Sequence, residues 1–296
     1  MYQCLKTKNL TASYNSGQVL NQVCVELHKG EFVCLCGPNG SGKSTLLTAM
    51  AGTAGKELKT TGQIILTTQA AANAIAATNA TATNATAANA TAATNAPVQT
   101  DSISLSTLSR KQLAQSISFM SQDEFSTWDF TVFDIVLSGR YAFTKNGYYT
   151  KYDRELAQKA LEETGLAAFA NRSVHQLSGG EFQKVRIARS ICQTPEFMLL
   201  DEPASSLDFV YEPDLLSLLV KQAHTKNTGV LITIHDINLA ARFADRIILL
   251  PPHCPAINGS LEQVFTSENL SLTFGKELKT YIHPIYNKIQ AAYEER

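Results

Sequence analysis

The stretch from Gly37 to Thr45 constrains the fold of this chain more than any other. Its residues, Gly-Pro-Asn-Gly-Ser-Gly-Lys-Ser-Thr, fit the pattern G-x-x-x-x-G-K-[ST]. In that pattern backbone N–H groups surround a phosphate, the lysine reaches the terminal phosphates and a hydroxyl holds Mg²⁺. The predicted phosphate-binding residues are Gly37, Pro38, Asn39, Gly40, Ser41, Gly42, Lys43, Ser44 and Thr45.

The sequence on either side of this loop supports a phosphate site over a simple glycine-rich turn. Phe32 to Cys36 is an apolar, β-prone run, and Leu46, Leu47 and Met50 follow at helical spacing. The predicted order is therefore strand, loop and helix. Because the free N–H groups and the positive dipole end of the new helix point at the loop, an anion can bind there mainly through the backbone.

Two further predicted strands end in polar residues. Phe197 to Leu200 precedes Asp201 and Glu202, and Val230 to Ile234 precedes His235. Carboxylates at the carboxyl end of a parallel strand beside a phosphate loop suit Mg²⁺ and an attacking water. We expect Asp201 in the Mg²⁺ shell and Glu202, pointing the other way along an extended backbone, as the proton acceptor. A solvated turn is the alternative for the acids, and a structural role is the alternative for His235.

The segment Leu177 to Glu181 allows two interpretations. Ser178 with Glu181 three residues later forms a capping-box pattern that begins a helix from Phe182 to Cys192. The glycines Gly179 and Gly180 also suit a second anion site, because their N–H groups can approach a phosphate closely. Taken alone, the segment favours the helix cap.

Residues 2 to 36 are predicted to form a small layer of short strands, Leu5 to Leu10 and Val19 to Leu27, joined by turns. Tyr14 lies just before the first turn. Its ring suits stacking on a purine, a contact that is worth about 1–3 kcal/mol between bases and aromatic side chains. An ordinary strand tyrosine explains the position equally well.

A low-complexity tract interrupts the chain after the predicted strand Ile64 to Leu66. From Ala70 to Ala96 every residue except Ile75 is Ala, Asn or Thr. Such a tract lacks large apolar groups whose burial offsets the entropy of ordering, so we expect residues 67–101 to be a disordered insertion between two strands. The cost of closing a loop rises slowly with its length, so the fold tolerates it.

Residues 124–176 are predicted to form a separate helical lobe, with helices over Val132 to Leu137 and Tyr152 to Gly165. The strand Ile117 to Met120 places Gln122 just before it. The aromatic side chains Phe125, Trp128, Phe130 and Phe133 stand at its entrance. Such a cluster is more often local core, and a surface for a partner is the alternative.

Composition limits the possible functions. The chain has 296 residues, 44% of them hydrophobic, and a net charge of −1 without a block of Lys or Arg. That charge balance gives no indication of nucleic-acid binding. No apolar run approaches the roughly 18 residues of a membrane helix, and no secretory signal is recognisable at the N-terminus. The six cysteines contain no C-x-x-C pair, so we expect core thiols in a reducing compartment rather than a metal site.

The phosphate loop, Gln122, Leu-Ser-Gly-Gly-Glu at 177–181, Leu-Leu-Asp-Glu-Pro at 199–203 and His235 occur in one order from about Leu5 to Phe274. This combination resembles the nucleotide-binding subunits of ABC transporters, since Leu-Ser-Gly-Gly-Glu before an acidic strand end is nearly private to that family. The resemblance implies an α/β P-loop NTPase with a RecA-like core over 1–123 and 177–296. An N-terminal antiparallel β layer and the inserted α-helical lobe 124–176 complete that fold.

The family's functional residues carry over one by one. Tyr14 resembles the aromatic residue that stacks on adenine, and Lys43 the phosphate lysine. Ser44 and Gln122 resemble Mg²⁺ ligands, Gln122 also sensing the γ-phosphate. Glu202 resembles the general base, His235 the switch histidine and Asp208 the residue that communicates between paired sites. Ser178, Gly179 and Gly180 would contact the γ-phosphate of ATP bound by the opposite subunit.

The resemblance also implies cofactors and partners. ATP with Mg²⁺ would join two copies of the chain head to tail, and the helical lobe would dock on membrane permease subunits at the cytoplasmic face of the inner membrane. Import would further depend on a substrate-binding protein. The segments Trp128-Asp129-Phe130-Thr131-Val132 and Ser138-Gly139-Arg140-Tyr141 resemble importers of iron-siderophores, haem or cobalamin. The Ala/Asn/Thr tract and Glu212-Pro213 depart from the family pattern.

Other functions remain open at this point. One is an importer ATPase for another cargo, such as metal ions. Another is a non-transport ABC ATPase that clamps nucleic acid or the ribosome, although a coiled coil, a second cassette and a basic surface are missing from the sequence. A phosphoryl-transferring kinase would leave residues 178–181 without a role.

Overall fold

The computed structural model describes residues 1–68, 102–122, 129–252 and 254–293. Its central element is a six-stranded sheet, flanked by an N-terminal β layer and a group of helices. The strands are β1 Tyr2–Tyr14, β2 Gly17–Val23, β3 Glu26–His28, β4 Phe32–Cys36, β5 Lys59–Thr68, β6 Ser102–Ser104, β7 Ile117–Met120, β8 Phe197–Leu200, β9 Gly229–Thr233, β10 Arg246–Leu249, β11 Ile257–Ser260, β12 Leu278–Ile282 and β13 Ile289–Tyr293. The α-helices are α1 Lys43–Met50, α2 Arg110–Ser116, α3 Val132–Ser138, α4 Lys151–Glu163, α5 Gly179–Cys192, α6 Glu212–Lys226, α7 Ile237–Phe243, α8 Leu261–Val264 and α9 Ser267–Phe274.

The central sheet has the order β11-β10-β4-β9-β8-β7, in which every pairing is parallel except that of β11. β4 lies in its middle, and all five of its residues are buried, as expected for a continuous apolar run in a parallel sheet. Phe32, Cys34 and Cys36 belong to the hydrophobic core on one face, with α3 to α7. Val33 and Leu35 belong to the core on the other face, with β1, β2 and α1. Because β4 supports both cores, the loop that follows it is anchored rigidly.

The N-terminal layer has the order β2-β1-β5-β6, and β3 also pairs with β1. The predicted antiparallel layer is therefore present, but its strands differ from the prediction. β1 runs over the whole of Tyr2–Tyr14, and the single strand expected from Val19 to Leu27 is divided at Cys24 and Val25. The division arises because β2 pairs with β1 at Leu10 to Tyr14, whereas β3 pairs with it at Cys4 to Lys6.

The low-complexity tract lies outside the described residues, as does all of the expected insertion 67–101 except its first two residues. β5 continues through Thr67 and Thr68, which pair with Cys4 and Tyr2, so the first two residues of the expected insertion 67–101 are strand. β6 begins at Ser102 and pairs antiparallel with β5. The tract thus connects two neighbouring antiparallel strands of the layer.

The segment 129–176 contains α3 and α4, which pack against each other and against α5. Within this segment a buried ion pair joins the end of α3 to the start of α4, in which Arg140 Nε lies 3.0 Å from Asp153 Oδ1. Arg140 Nη1 also donates to the Gln193 carbonyl and the Thr194 hydroxyl at the end of α5. The Ser138-Gly139-Arg140-Tyr141 segment therefore has a structural role in fastening these helices together. Of the aromatic cluster, Phe133 packs on the core, Phe130 is 45% exposed, and Phe125 and Trp128 lie outside the described residues.

The cysteines match the expectation only in part. Cys4, Cys34, Cys36 and Cys192 are buried, whereas Cys24 and Cys254 are exposed. Burial raises the pKa of Cys36 to about 12, so its thiol stays protonated. Among the described residues, no helix combines the length and the apolar composition needed to cross a bilayer.

Candidate functional site

The loop after β4 has the geometry that its glycines predict. Gly40 and Gly42 have φ values of +78° and +97°, in the left-handed region that other residues rarely adopt. A Cβ on Gly42 would lie 2.6 Å from Leu20 Cδ2 and 2.9 Å from Val19 Cγ1. Glycine is therefore required here both by the backbone conformation and by β2, which closes over the loop.

Lys43 begins α1 and folds back over the loop. Its Nζ donates to the carbonyls of Gly37 at 2.9 Å and Pro38 at 3.1 Å. Burial lowers the pKa of this ammonium, while the carboxylates of Glu202 and Asp201 act in the opposite direction. The N-cap residue of α1 is Gly42, so no side chain accepts a hydrogen bond from the first turn. The first N–H groups of the helix therefore face the loop. A cation and a helix N-terminus thus converge on one point.

A cleft of about 630 Å³ opens beside this loop. It is formed at the carboxyl ends of β4, β7, β8 and β9, the edge at which ligands bind in parallel α/β sheets. Its lining residues are Val19, Asn39, Gly40, Gly42, Lys43, Ser44, Thr45, Gln122, Glu202 and His235. Every lining residue except Val19 is one that the sequence predicted for the site. Val19 was missed because nothing in its local sequence distinguishes it from other strand residues.

Glu202 contacts two other predicted site residues in the cleft, His235 and Gln122. Its Oε1 lies 2.7 Å from His235 Nε2, and its Oε2 accepts a 3.0 Å hydrogen bond from Gln122 Nε2. The backbone of Glu202 differs from the extended form that was expected: β8 ends at Leu200, and Glu202 has a φ of +49°. The left-handed turn aims the carboxylate across the strand ends and toward the side chains that follow β7 and β9.

Asp201 and Glu202 are linked through Thr233, the last residue of β9. The Thr233 hydroxyl donates to Asp201 Oδ1 at 2.7 Å and accepts from the Glu202 N–H at 2.7 Å. Asp201 and Thr233 are 2% and 1% exposed. Since an unusual backbone conformation persists only where its surroundings support it, this hydroxyl helps to hold Glu202 in place. Thr233 was not among the predicted site residues; its signal in the sequence was a hydroxyl at the end of an otherwise apolar strand.

Two buried side chains of α5 reach the same region. Gln183 Nε2 donates to the carbonyls of Glu202 at 3.3 Å and Pro203 at 3.0 Å. Arg186 donates to Gln183 Oε1 at 2.8 Å and to the carbonyls of Gln122 and Ser121. The helix that begins at the Leu-Ser-Gly-Gly-Glu segment is thus bonded to the backbone on both sides of the cleft. Neither Gln183 nor Arg186 was predicted. The available sequence signal was that each is a polar residue on a helix face that otherwise faces the core.

The cap predicted at Ser178 is present. Ser178 Oγ accepts from the Glu181 N–H at 3.2 Å, and Glu181 Oε2 accepts from the Ser178 N–H at 2.8 Å. The backbone N–H and the hydroxyl of Ser178 both donate to Glu181 Oε2 and lower the pKa of the Glu181 carboxyl. A Cβ on Gly180 would lie 3.3 Å from the carbonyl of Ser206, so this segment packs beside the loop that carries Asp208.

Several predicted residues do not line the cleft. Ser178, Gly179, Gly180 and Asp208 are absent from its walls. Tyr14 is also absent: it is half-buried at the end of β1, pairs with Gly17 and packs on the core of the β layer. Asp201 lies behind the cleft, bonded to Thr233. Gly37, Pro38 and Ser41 form the back of the loop.

The residues present fit a magnesium nucleotide. The loop closes so tightly that Cβ atoms are excluded at Gly37 and Gly42, which leaves backbone N–H groups free to approach an anion. Ser41 Oγ is buried and makes no hydrogen bond with any described residue. The donor set of the cleft, a hydroxyl from Ser44, an amide from Gln122 and a nearby carboxylate, consists of the oxygen ligands that Mg²⁺ prefers.

Comparison with known proteins agrees with this geometry. A family model described as ABC transporter matches residues 20–205. The chain is 31% identical to the petrobactin import ATP-binding protein FpuD of Bacillus anthracis over 288 residues, which cover 97% of this chain and 92% of FpuD. It is 32% identical to the hemin import ATP-binding protein HmuV of Bordetella pertussis over 288 residues, covering 95% of each protein.

Solved structures give the same result. A structure described as an inward-facing conformation of a metal-chelate type ABC transporter superposes with a TM-score of 0.72 at 26% identity, covering 99% of this chain and 97% of that one. The dimeric ATP-binding cassette MJ0796, bound to ADP and Pi in a post-hydrolysis state, gives a TM-score of 0.65 at 27% identity. The latter match covers 87% of this chain and 98% of MJ0796.

Proposed function

The chain belongs to the ABC transporter family as an ATP-hydrolysing subunit, and we propose that it energises import of an iron-siderophore, haem or cobalamin through a separate membrane permease. The observation that carries the proposal is the convergence of Lys43, Gln122, Glu202 and His235 on one cleft at the end of β4. The petrobactin and hemin import named for its relatives supports the iron-siderophore and haem parts of this cargo class.

We assign the following roles in hydrolysis. The loop N–H groups and Lys43 would hold the phosphates. Ser44 and Gln122 would hold Mg²⁺, with Asp201 behind them, bonded to Thr233; the ion would supply neutralisation of the charge that develops on the phosphates. Glu202 accepts the proton of the attacking water. His235 Nε2 lies 2.7 Å from the Glu202 carboxylate, so this side chain would orient the carboxylate and contact the γ-phosphate. Tyr14, half-buried at the end of β1, would stack on the adenine.

The position of the Leu-Ser-Gly-Gly-Glu segment supports a composite site. Because Ser178, Gly179 and Gly180 do not reach the cleft of their own chain, we propose that they complete the cleft of a second copy, with Asp208 beside them. The dimeric MJ0796 cassette is a relative assembled as a pair. ATP-driven closure of two copies, followed by opening after hydrolysis, would then supply the mechanical work.

The permease would dock on the segment 129–176, at the cytoplasmic face of the membrane. This segment exposes several aromatic side chains: Phe130 at 45%, Tyr141 at 67%, Tyr148 at 79% and Tyr152 at 63%. Exposed aromatic residues on one region of a folded chain are typical of protein contact surfaces. A substrate-binding protein would act indirectly, by delivering cargo to the permease.

The first test is Glu202→Gln. It removes the proton acceptor but keeps the size of the side chain, so turnover should fall by about 10²-fold or more while ATP affinity is retained. The variant should also form a dimer with ATP and Mg²⁺, measured by light scattering. Glu57→Gln, on an exposed loop after α1, is the matched control and should leave both properties unchanged. Near-normal turnover in Glu202→Gln would refute the role of Glu202.

The second test concerns the membrane partner. The tagged protein, purified from gently solubilised membranes of its own cell, should retain a polytopic permease in stoichiometric amount. The double variant Tyr148→Ser and Tyr152→Ser should lose the permease, whereas Tyr293→Ser, which changes a similarly exposed tyrosine far along the chain, should keep it. Recovery of the wild-type protein without any membrane protein would contradict the importer assignment.

A further inference from the structure

A cluster of metal-binding side chain types lies in the N-terminal β layer. Cys4 Sγ, a carboxylate oxygen of Glu26 and a ring nitrogen of His28 all lie within 4.8 Å of one another. None of these residues lines the nucleotide cleft. We propose that Cys4, Glu26 and His28 bind one divalent transition-metal ion of the zinc type, with water as the fourth ligand.

The strand register brings these side chains together. β1 and β3 pair antiparallel with Cys4 opposite His28 and Lys6 opposite Glu26. Side chains directly opposite in such a pair point to the same face of the sheet, as do residues two apart along a strand. The intervening pair, Leu5 and Leu27, points to the other face and enters the hydrophobic core. The cluster is therefore held by backbone pairing, and no loop contributes to it.

The surroundings of Cys4 suit a ligand better than a core thiol. Cys4 is 3% exposed, yet it belongs to neither of the two hydrophobic cores. On its other side it pairs with Thr67 of β5, which shares its face of the sheet. The Thr67 hydroxyl is buried and makes no hydrogen bond with any described residue. A water bound to a metal at this site would offer that hydroxyl a partner.

The donor set indicates the kind of metal. A thiolate and an imidazole favour zinc-type ions over Mg²⁺ and Ca²⁺, and three protein ligands with one water is a common arrangement for zinc. Tetrahedral coordination at about 2.0–2.3 Å places ligand atoms about 3.3–3.6 Å apart. The three side chains therefore need only a small contraction, which the 46% exposed His28 side chain is free to make.

The charged neighbours are compatible with an added cation. Glu26 Oε2 lies 3.5 Å from His28 Nε2, and Lys6 Nζ lies 3.8 Å from Glu26 Oε1. Both separations exceed an ordinary hydrogen bond, so one oxygen can turn to a metal while the other stays near Lys6. Arg246, the other cation near Glu26, is held at 3.1 Å by Glu31. A bound ion would thus clamp β3 onto β1.

The test uses Co²⁺ as a spectroscopic probe on the full chain, stripped of metal and kept in a large excess of Mg²⁺. We expect about one equivalent of Co²⁺ to bind with thiolate-to-cobalt charge-transfer absorption, and Zn²⁺ to displace it. Cys4→Ser should abolish the absorption, and His28→Gln and Glu26→Gln should weaken Co²⁺ binding at least about tenfold. Cys24→Ser and Cys254→Ser, which alter the two exposed thiols, are the matched controls and should change nothing.

Three results would overturn the proposal: no charge-transfer absorption in the wild-type protein, absorption that persists in Cys4→Ser, or absorption that depends on Cys24 or Cys254. Cys4 is buried, so its variant is checked by circular dichroism. If Cys4→Ser fails to fold, His28→Gln and Glu26→Gln decide the question, since both alter partly exposed side chains. Unchanged Co²⁺ affinity in that pair would also refute the site.

Discussion

Thr233 provides a sharp test of how the cleft is held together. Thr233→Val removes one hydroxyl and keeps the shape of the side chain. In the structure that hydroxyl bonds both Asp201 Oδ1 and the Glu202 N–H, each at 2.7 Å, in a site that is 1% exposed. The substitution therefore leaves the buried Asp201 oxygen and the partly buried Glu202 N–H without this partner, and Glu202 is the residue whose φ is +49°.

The magnitude follows from these two bonds. A hydrogen bond to a charged group contributes about 1.5–3 kcal/mol, and one between neutral groups about 0.5–1.5 kcal/mol. The methyl group that replaces the hydroxyl stabilises the folded state by under about 1 kcal/mol through apolar burial. The free energy of unfolding should therefore fall by about 2–3 kcal/mol. For a chain of this size the melting temperature should fall by about 5 °C.

Activity should fall as well, because Glu202 loses a restraint on its backbone. A general base contributes about 10²–10⁴-fold to a rate, and misplacement forfeits part of that factor. We expect kcat for ATP to decrease about tenfold, with little change in KM, because the phosphate loop is not altered. Thr233→Ser retains the hydroxyl and should recover most of the wild-type kcat.

The assays are thermal unfolding and steady-state ATP hydrolysis. Thr228→Val is the matched control: Thr228 is also buried and lies just before β9, but its hydroxyl makes a long 3.5 Å contact with Pro195 O. Its melting temperature should change by less than about 2 °C and its kcat should be unaffected. If Thr233→Val behaves like Thr228→Val in both assays, the hydroxyl does not position Glu202.

Other perturbations test separate parts of the structure. Arg140→Ala should destabilise the protein by about 3–5 kcal/mol in thermal unfolding, because Asp153 stays buried without its ion-pair partner; a loss below about 1 kcal/mol would contradict the contact. Burial raises the pKa of Asp153, but hydrogen bonds from its helix N-terminus and from Arg140 outweigh burial and lower it. The stability that Asp153 adds is therefore fully present above its unfolded pKa of about 3.9 and is lost as the pH falls through the lowered folded pKa. The melting-temperature gap between wild type and Asp153→Asn should stay constant from about pH 6 to 4 and narrow below about pH 4; a gap that does not narrow there would refute this. Gly42→Ala should weaken binding of a fluorescent ATP analogue at least about tenfold, because the φ of +97° excludes a side chain; unchanged affinity would show that the loop adapts. Arg186→Leu should reduce kcat about tenfold through loss of its bond to the Gln122 carbonyl, and a kcat within about twofold of wild type would exclude a positioning role.

Local sequence was sufficient for the elements with short-range causes. The strand Phe197–Leu200 was predicted to the residue, because four apolar residues bounded by acids leave few alternatives. The cap at Ser178 was also predicted, since its partner Glu181 is only three residues away. The glycines of the phosphate loop were predicted from the motif. The positive φ values of Gly40 and Gly42 explain why the motif has glycine at these positions.

Predictions failed where the cause lies far along the chain. The strand expected from Val19 to Leu27 is divided because two of its parts pair with different stretches of β1. Glu202 turns into the left-handed region, supported by Thr233, which is 31 residues away in sequence. For Tyr14 the sequence left two interpretations open, adenine stacking and an ordinary strand tyrosine. In the structure Tyr14 packs against the core of the β layer, a contact that depends on how β1 packs.

The sequence by itself indicated which residue types suit phosphate binding and proton transfer, and where the strands before Gly37 and Asp201 begin, whereas β9 and α5 begin one and three residues earlier than predicted. These indications follow from residue type and from spacings of a few positions. Only the tertiary structure decided how those residues meet. Gln122, Glu202 and His235 come together because β7, β8 and β9 run parallel in one sheet. Likewise, Cys4, Glu26 and His28 face one another because β3 folds back on β1. Pairing between distant strands depends on burying two hydrophobic cores at once, and no local stretch of sequence carries that information.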